Sequence, residues 1–382
     1  RNLGRCFTVF STLGVIKKAR SEKYAVLIND AGREEYDLRQ FCDGELKVYI
    51  HAITSLIAPV LTPLSLLEKK YCWGERNHKI FSRFHKMQSA SLFADETLPD
   101  LLSDLLQKLR AECDPGLFRQ IRYVAWAHSL HATSPFDRME ELSTVFQTFF
   151  GDQEIEFFSA TQASCASGLV SLKYLQAKMR AAQQNTLSEN CGSENQASVC
   201  GVLITGEKCF HRTVQYVDQN GYFGEAFCAT LVGMAPSPHS LHLRALHLQQ
   251  LGAYGTRMRE TDRESENAYD HAFLPVMTET IQKTLAGAGR KPEELSAVLP
   301  YHISPVTFDR LADRSGFSRD IVFRHNLYTL GHCFCSDAFL NIKSLLACGD
   351  NAVRARCILA LASGVAGTFG AMVLESDNED IP

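Results

Sequence analysis

The sequence lacks the features that mark membrane proteins, disulfide scaffolds and nucleic-acid binders. Its longest apolar stretch, residues 52–67, contains Pro59 and Pro63 and is shorter than the ~20 apolar residues of a membrane-spanning helix. The 13 cysteines include no CxxC pair, so neither zinc spacing nor a disulfide framework is indicated. The formal net charge of -4 gives no general basic field for nucleic acid. We therefore expect no metal site, no membrane association and no nucleic-acid partner.

What is present is a globular composition. Hydrophobic residues make up 45% of the 382 residues and charged residues 21%, which excludes disorder and collagen-like structure. At ~100–200 residues per domain, a chain of this length forms one large unit or two fused halves. Unpaired thiols are typical of a reducing compartment, and no charged-then-apolar leader opens the sequence, so we expect a cytoplasmic protein.

Strand and helix patterns alternate along the chain, which predicts an α/β fold. Leucines recur at helical spacing through residues 97–110, and Thr97 with Asp100 resembles a capping box, which predicts a helix there. The polar residues 183–198 are typical of a surface loop, and the Pro-Ser-Pro segment at 236–238 indicates a connection between halves. The other predicted elements are strands at residues 47–57, 122–127, 155–158, 199–205, 241–250, 295–299, 357–362 and 370–375 and helices at residues 138–150, 166–180, 271–288, 306–314 and 335–348.

Cys165 is the first candidate for chemistry. It lies in the small-residue segment 162–169, where a predicted strand turns into a helix. The N-terminus of a helix presents unpaired N–H groups and the positive end of its dipole, which favour a thiolate and make the sulfur a nucleophile. The small neighbours leave room for a substrate carbonyl. A buried structural cysteine is the alternative interpretation of this position.

Two histidines are the next candidates. His302 follows the predicted strand at residues 295–299, which is a usual place for site residues in α/β proteins. His332 lies in a turn ahead of the helix predicted at residues 335–348. Taken alone, His302 is better explained as a hydrogen-bonded residue at the edge of the core, and His332 as a capping or loop residue.

A glycine-rich segment, residues 363–370, separates the last two predicted strands. Its glycines allow close backbone approach and positive φ angles. A turn of this kind can direct N–H groups at an oxyanion, with Gly364 and Val365 as the candidates, although a simple hairpin turn is the commoner explanation. A thiolate, two imidazoles and a glycine-lined anion pocket together suit acyl transfer through a thioester.

The order and spacing of these motifs resemble those of the ketoacyl synthase III branch of the thiolase-like superfamily. The family usually has Asn where this chain has His332, and a Cys-His-His set resembles the elongating ketoacyl synthases instead. We therefore expect a specialised relative, for example in polyketide or other secondary metabolism, and not an enzyme of housekeeping fatty acid initiation. The resemblance covers roughly residues 47–375 and rests on the nucleophile turn at 163–168, a Leu-Gly-Ala-Tyr-Gly segment at 251–255, the His loop at 301–305, the Gly-Asn-type loop at 329–332 and the closing glycine-rich turn at 364–370.

The resemblance implies a thiolase-like fold of five layers, α/β/α/β/α, made of two pseudo-symmetric halves. The first half would comprise residues 47–235, with the nucleophile, and the second residues 236–382, with the two His loops. Residues 1–46 have no counterpart in the family and form an N-terminal extension of unclear role. Family members are usually dimers, so we expect a homodimer, with a heterodimer as the alternative.

The resemblance also implies an acyltransferase with a two-stage reaction. Cys165 would attack an acyl thioester of coenzyme A or of the phosphopantetheine of an acyl carrier protein, while its own N–H and the backbone at Gly364 and Val365 hold the oxyanion. A malonyl-type thioester would then lose CO₂, with His302 and His332 on its thioester oxygen. Its carbanion would attack the acyl group in a decarboxylative Claisen condensation. No tightly bound cofactor is expected.

Three alternatives remain open. An alcohol or amine could accept the acyl group, with His302 as the general base. The chain could instead be a non-catalytic subunit that shapes the acyl tunnel of a heterodimer, although the retention of Cys165, His302 and His332 argues against this. A cysteine protease fits the two-half pattern less well.

Overall fold

The computed structural model describes residues 16–21, 24–29, 32–37, 47–129, 144–189, 199–208, 215–254, 263–348, 356–365 and 367–376. Its contacts divide the chain into two units, Arg1–Lys47 and Val48–Pro382. The first unit contains strands β1 (Ile16–Ser21), β2 (Tyr24–Asn29) and β3 (Gly32–Asp37). Strand β2 pairs antiparallel with both of its neighbours, so these residues form a three-stranded meander.

The second unit is built on one large mixed sheet. Its strands are β4 (Val48–Ile57), β5 (Thr62–Pro63), β6 (Ser89–Ala90), β7 (Ile121–Ala127), β8 (Glu156–Ala160), β9 (Cys200–Thr205), β10 (Tyr216–Val217), β11 (Gly221–Tyr222), β12 (Ala226–Gly233), β13 (Leu241–Gln250), β14 (Ala297–Leu299), β15 (Cys357–Gly364) and β16 (Thr368–Ser376). Nine of them form the sheet in the order β14-β15-β16-β13-β4-β12-β9-β7-β8, while β5 pairs with β6 and β10 with β11.

Helices flank this sheet, which confirms the predicted α/β class. Besides the α-helices named at the end of this paragraph, residues 144–150 are helical. Two further segments, Ser164–Ala166 and Phe334–Ser336, are 3-10 turns, and each lies directly before an α-helix. Within the described ranges, no helix is long and apolar enough to cross a membrane. The α-helices are α1 (Leu64–Tyr71), α2 (Gly74–Lys79), α3 (Leu98–Glu112), α4 (Pro115–Arg119), α5 (Ser167–Glu189), α6 (Arg263–Ala288), α7 (Pro305–Ser315), α8 (His325–Thr329) and α9 (Asp337–Ala347).

Helix α3 forms as the leucine pattern predicts. Its six leucines are all buried, and the helix packs on β4 and β12. The hydroxyl of Thr97 accepts a hydrogen bond from the backbone N–H of Asp100, and the carboxylate of Asp100 accepts one from the N–H of Thr97. This capping box satisfies two N–H groups that a helix start leaves free, and such a cap is worth about 1 kcal/mol.

Three apolar clusters separate the layers of the second unit. One joins α3 and α4 to the strands β7, β9 and β12, and another joins α6 and α7 to β14, β15 and β16. The third lies around α5 and α9, and each of these two helices contacts strands on both sides of the β4–β13 junction. Helices α5 and α9 therefore form the central layer of the five-layer arrangement, with a part of the sheet on each side of it.

The two parts of the sheet repeat one strand pattern. In the first, β4, β12, β9 and β7 pair antiparallel, antiparallel and parallel, with β8 parallel at the edge. In the second, β13, β16, β15 and β14 repeat this pattern, and a parallel bridge between Val298 and Val322 stands in the position of β8. The parts join where β13 pairs with β4 from Leu241 to Leu243. The structure therefore contains two pseudo-symmetric halves.

Two of the predicted helices extend well beyond their predicted ends in the structure. Helix α5 continues to Glu189, so residues 183–189 are helical and not the predicted surface loop, because Gln, Leu and Glu are good helix formers even on a polar surface. Helix α6 begins at Arg263, ahead of the predicted start. Of the helix predicted at 138–150, residues 144–150 are helical, and the remainder lies outside the described residues, as do residues 190–198.

Gly364 lets the hairpin of β15 and β16 approach the turn that carries Cys165. A Cβ atom at this position would lie 2.0 Å from the carbonyl oxygen of Ala163, which is a backbone atom and cannot rotate away. We therefore expect Gly364→Ala to lower the free energy of unfolding by about 1–3 kcal/mol, measured by urea denaturation. Gly252→Ala is the control, because a Cβ there meets nothing within 4 Å. Equal stability of the two variants would contradict this account of the close approach.

Candidate active site

Cys165 lies in the 3-10 turn between β8 and α5. Ser164, just before it, has a φ of 52°, a left-handed conformation that a residue with a side chain rarely adopts. The turn places Cys165 ahead of the first turn of the central helix α5, and only 8% of the residue is exposed. The predicted position of the sulfur near the N-terminus of a buried helix is thus what the structure shows.

His332 is the imidazole that contacts this sulfur. Its Nε2 atom lies 3.2 Å from Sγ of Cys165, and its Nδ1 atom lies 2.5 Å from Oδ2 of Asp337. A carboxylate can only accept, so Nδ1 donates to Asp337 and Nε2 is directed to the sulfur. The backbone of His332 is fixed as well, because its N–H donates to Tyr222 and its carbonyl accepts from Gly224.

Asp337 is the first residue of α9 and is almost fully buried. Besides His332, its carboxylate accepts hydrogen bonds from the backbone N–H of His302 at 2.7 Å and of Cys333 at 2.7 Å, and Nδ1 of His302 lies 3.0 Å from Oδ1. Burial alone would raise the pKa of Asp337, but the charges of the two histidines and their hydrogen bonds hold it well below its usual range. The residue is therefore a carboxylate at neutral pH.

The same interactions act on His332. Burial alone would lower its pKa, but the charges of Asp337 and Cys165, and hydrogen bonds with both, outweigh the loss of solvation and raise the pKa of His332 to about 10. The ring is therefore an imidazolium at neutral pH. A cation 3.2 Å from Sγ stabilises negative charge on that sulfur, which is the form that acts as a nucleophile.

His302 is completely buried. The sequence predicts that its ring faces the thioester oxygen of the substrate, but in the structure the ring faces other protein groups. Its Nδ1 atom lies 2.9 Å from the carbonyl oxygen of Gly331, in addition to its contact with Asp337, and its Nε2 atom lies 3.0 Å from Oδ1 of Asn341. The amide of Asn341 donates to Pro300, which fixes its oxygen toward His302. Both ring nitrogens thus face acceptors, so His302 reaches Cys165 only through Asp337 and His332.

His302, Cys333 and Asp337 also carry donor atoms within 4.8 Å of one another, the spacing of a metal site. These atoms are already engaged within the protein. The imidazole of His302 faces Asp337, and Sγ of Cys333 lies 3.6 Å from the carbonyl oxygen of Gly331. Hydrogen bonding and ion pairing account for the cluster, and we assign it to the support of His332.

The structure therefore brings together Cys165 and His332 of the predicted residues, and adds Asp337. Gly364 and Val365 lie at the end of β15, where the hairpin packs against the nucleophile turn. The sequence did contain a signal for Asp337, since an acidic residue lies five positions after His332, near the start of the helix predicted at residues 335–348. Which histidine faces the sulfur could not be deduced from the sequence, because it depends on contacts with Asn341 and Pro300.

Solved structures resemble this chain over most of its length. The acyltransferase ChlB3 aligns with a TM-score of 0.70 and 14% identity, covering 86% of this chain and 98% of its own. The 3-oxoacyl-[acyl-carrier-protein] synthase III of Aquifex aeolicus aligns with a TM-score of 0.63, 16% identity and coverages of 86% and 99%. OleA of Xanthomonas campestris aligns with a TM-score of 0.67, 10% identity and the same coverages. The chain has the thiolase-like fold.

The predicted resemblance to the ketoacyl synthase III branch is thus confirmed as a likeness of fold. No protein-family model matches the chain, and no curated protein matches it either. The OleA structure carries a Cys-to-Ser change and was solved with lauric acid and lauroyl-CoA bound.

We expect rising pH to destabilise the thiolase-like unit through His332. The ordinary pKa of His332 is 6.5 and its pKa in the folded chain is about 10, so the charged ring contributes fully below about pH 6.5 and its contribution is lost as the pH rises to about 10. Urea denaturation across this range should show the free energy of unfolding falling more in the wild type than in His332→Gln. Both proteins are compared in a Cys165→Ser background, because the charge of Cys165 is one cause of the raised pKa of His332. The remaining thiols are common to both proteins and cancel in the difference, and equal slopes would contradict the ion pair of His332 with Asp337.

Proposed function

We propose that the chain is an acyltransferase that carries the acyl group of a thioester on Cys165 and passes it to a hydroxyl or amine. The observation that carries this proposal is a buried chain of two contacts. Nε2 of His332 lies 3.2 Å from Sγ of Cys165, and Nδ1 of His332 lies 2.5 Å from Oδ2 of Asp337. A nucleophile, a base and a group that orients the base form the arrangement that acyl transfer requires.

In the first stage, the thiolate of Cys165 attacks the carbonyl carbon of the donor thioester. The bond from Sγ to carbon forms, the bond from carbon to the donor sulfur breaks, and the imidazolium of His332 gives its Nε2 proton to the departing thiolate. The N–H of Cys165 and the backbone at Gly364 and Val365 are the proposed donors to the oxyanion. Glycine at 364 supports this role, because it allows β15 to lie against the turn.

In the second stage, His332 acts as a base. The charge of Cys165 is one of the causes that raise the pKa of His332, and acylation removes that charge. The pKa of the ring then falls, and the neutral Nε2 can accept the proton of an alcohol or amine whose oxygen or nitrogen attacks the acyl carbon. The bond from oxygen or nitrogen to the acyl carbon forms, the bond from that carbon to Sγ breaks, and Cys165 leaves as the thiolate beside the reprotonated His332. The imidazole of His332 thus transfers the proton in both stages, and Asp337 holds the ring in one orientation throughout.

Decarboxylative condensation with a malonyl-type thioester is the second candidate, and the fold shared with 3-oxoacyl synthase III favours it. That reaction calls for donors on the thioester oxygen of the extender unit. Both ring nitrogens of His302 face Asp337, Gly331 and Asn341, which leaves His332 as the imidazole beside Cys165. This orientation is why we place transfer to oxygen or nitrogen ahead of condensation.

The donor that we propose is a thioester of coenzyme A or of a carrier-protein phosphopantetheine. The OleA structure holds lauroyl-CoA, and the 3-oxoacyl synthase is named for an acyl carrier protein. Thioesters suit this site because an activated cysteine attacks their carbonyl carbon and displaces a thiolate, which exchanges one thioester for another. Each step uses side chains and backbone of this chain together with the two substrates.

Incubation with acyl thioesters should leave an acyl group on Cys165. We expect intact-protein mass spectrometry to show a mass increase that equals the acyl group, and this increase should be absent in Cys165→Ala. Cys113→Ala is the matched control, because Cys113 is as buried as Cys165 but lies in the outer apolar cluster of the first half and does not line the cavity beside Cys165, so the adduct should be unchanged.

Addition of acceptors to the loaded enzyme then separates the two candidate reactions. Loss of the acyl mass to alcohols or amines, without release of CO₂ from a malonyl thioester, is the expected result. CO₂ release coupled to loss of the acyl mass would favour condensation instead. No adduct with any thioester would contradict the acyltransferase proposal and favour a non-catalytic subunit.

Asp337→Asn should slow acyl transfer by about 10²–10⁴, because an amide in place of the carboxylate no longer holds Nδ1 of His332 as a donor. Pre-steady-state acylation of Cys165, followed by quenched mass spectrometry, measures this rate. Asp309→Asn is the control, since Asp309 pairs with Arg324 at the surface. Acylation of Asp337→Asn at the wild-type rate would remove Asp337 from the mechanism.

A further inference from the structure

A small cavity lies beside the sulfur of Cys165. Its volume is about 10 Å³, which is the space of one water molecule. The side chains around it come from α5, α9, β15 and the loops before them, and the apolar ones are Leu169, Tyr301, Phe334, Phe339 and Leu361. An acyl group bound to Sγ has to extend into space of this kind, and there is room here for a methyl group but not for a longer chain.

Phe334 lines this cavity and contacts other aromatic rings of the site. Its ring stacks on Phe223 with a centroid distance of 4.7 Å, and both rings lie in one apolar cluster with Cys165. Both rings also contact the imidazole of His332, at 5.7 Å for Phe334 and 5.3 Å for Phe223. Phe334 is 3% exposed, so its ring closes the space around the reacting atoms.

The backbone of Phe334 is held in an unfavourable conformation. Its φ is 53°, in the left-handed region where a side chain is costly. The corresponding turn of the first half has Ser164 at this place, with a φ of 52°, again one residue before a cysteine and at the start of a 3-10 turn. The same turn therefore carries a small side chain in one half and a phenyl ring in the other.

We propose that Phe334 is a specificity-determining residue that limits the acyl group on Cys165 to about two carbons. This inference rests on the proposed function, since it concerns the acyl group that Cys165 would carry. In the corresponding turn of the first half the side chain at this place is the smaller Ser164, and the left-handed φ that both residues share shows that the surrounding structure fixes the turn that carries the ring. The acyl donor is thus a short-chain thioester.

The test compares acylation of Cys165 by acetyl-CoA and octanoyl-CoA, followed by intact-protein mass spectrometry. The wild type should prefer acetyl by at least about 100-fold, because even one methylene too many in an apolar pocket costs 10-fold or more. Phe334→Ser, which copies the residue of the first half, should reduce the preference to within about 10-fold. Phe334→Leu should give a smaller shift in the same direction, and it serves if the serine variant does not fold.

Phe118→Ser is the matched control, because Phe118 is similarly buried in the outer cluster of the first half and does not line the cavity. Its preference for acetyl should equal that of the wild type. Equal rates with both donors in the wild type, or an unchanged preference in both Phe334 variants, would overturn the role of Phe334 and leave the acyltransferase proposal intact. Absence of acylation by either donor in the wild type would overturn the proposed function itself.

Discussion

The site depends on one buried carboxylate that is shared by two imidazoles. Asp337 accepts hydrogen bonds from both histidine rings and from two backbone N–H groups, and it does so at the start of α9 in the central helical layer of the second unit. A carboxylate without partners could not remain charged in such a place. Because His302 and the two N–H groups hold it, Asp337 can in turn hold His332 against the sulfur of Cys165. The nucleophile belongs to the first half and its partners belong to the second, so the charge pairing also joins the two halves.

The two halves use one local structure for different purposes. Each has a 3-10 turn with a cysteine at its centre, followed by a central helix. Cys165 faces an imidazolium, whereas burial, together with the charges of Glu207 and Cys165, raises the pKa of Cys335 well above its usual range. Cys335 therefore stays a thiol, and its Sγ lies 3.3 Å from the carbonyl oxygen of Ser164. The second cysteine thus supports the turn that carries the first.

Local patterns in the sequence predicted the elements well, and contacts between distant segments decided what the sequence left open. The leucine spacing and the Thr97 cap are local, and both led to the observed α3. The small residues around Cys165 are local too, and they indicated a turn into a helix. The orientation of His302 follows from Asn341, which lies 39 residues further along the chain. No periodicity records such a contact, and for the same reason the position of Asp337 between the two histidines depends on how the loops before α9 fold.

The contact between Gly364 and the carbonyl of Ala163 links two stretches of chain that are about two hundred residues apart in sequence. Because backbone meets backbone there, the separation between the nucleophile turn and the hairpin is set by atoms that every amino acid shares, with glycine as the necessary exception. A homologue that carried a larger residue at this place would have to move its nucleophile or its hairpin. The two segments are therefore constrained to evolve together, because their contact fixes the distance between the sulfur of Cys165 and the β15–β16 hairpin of the second half.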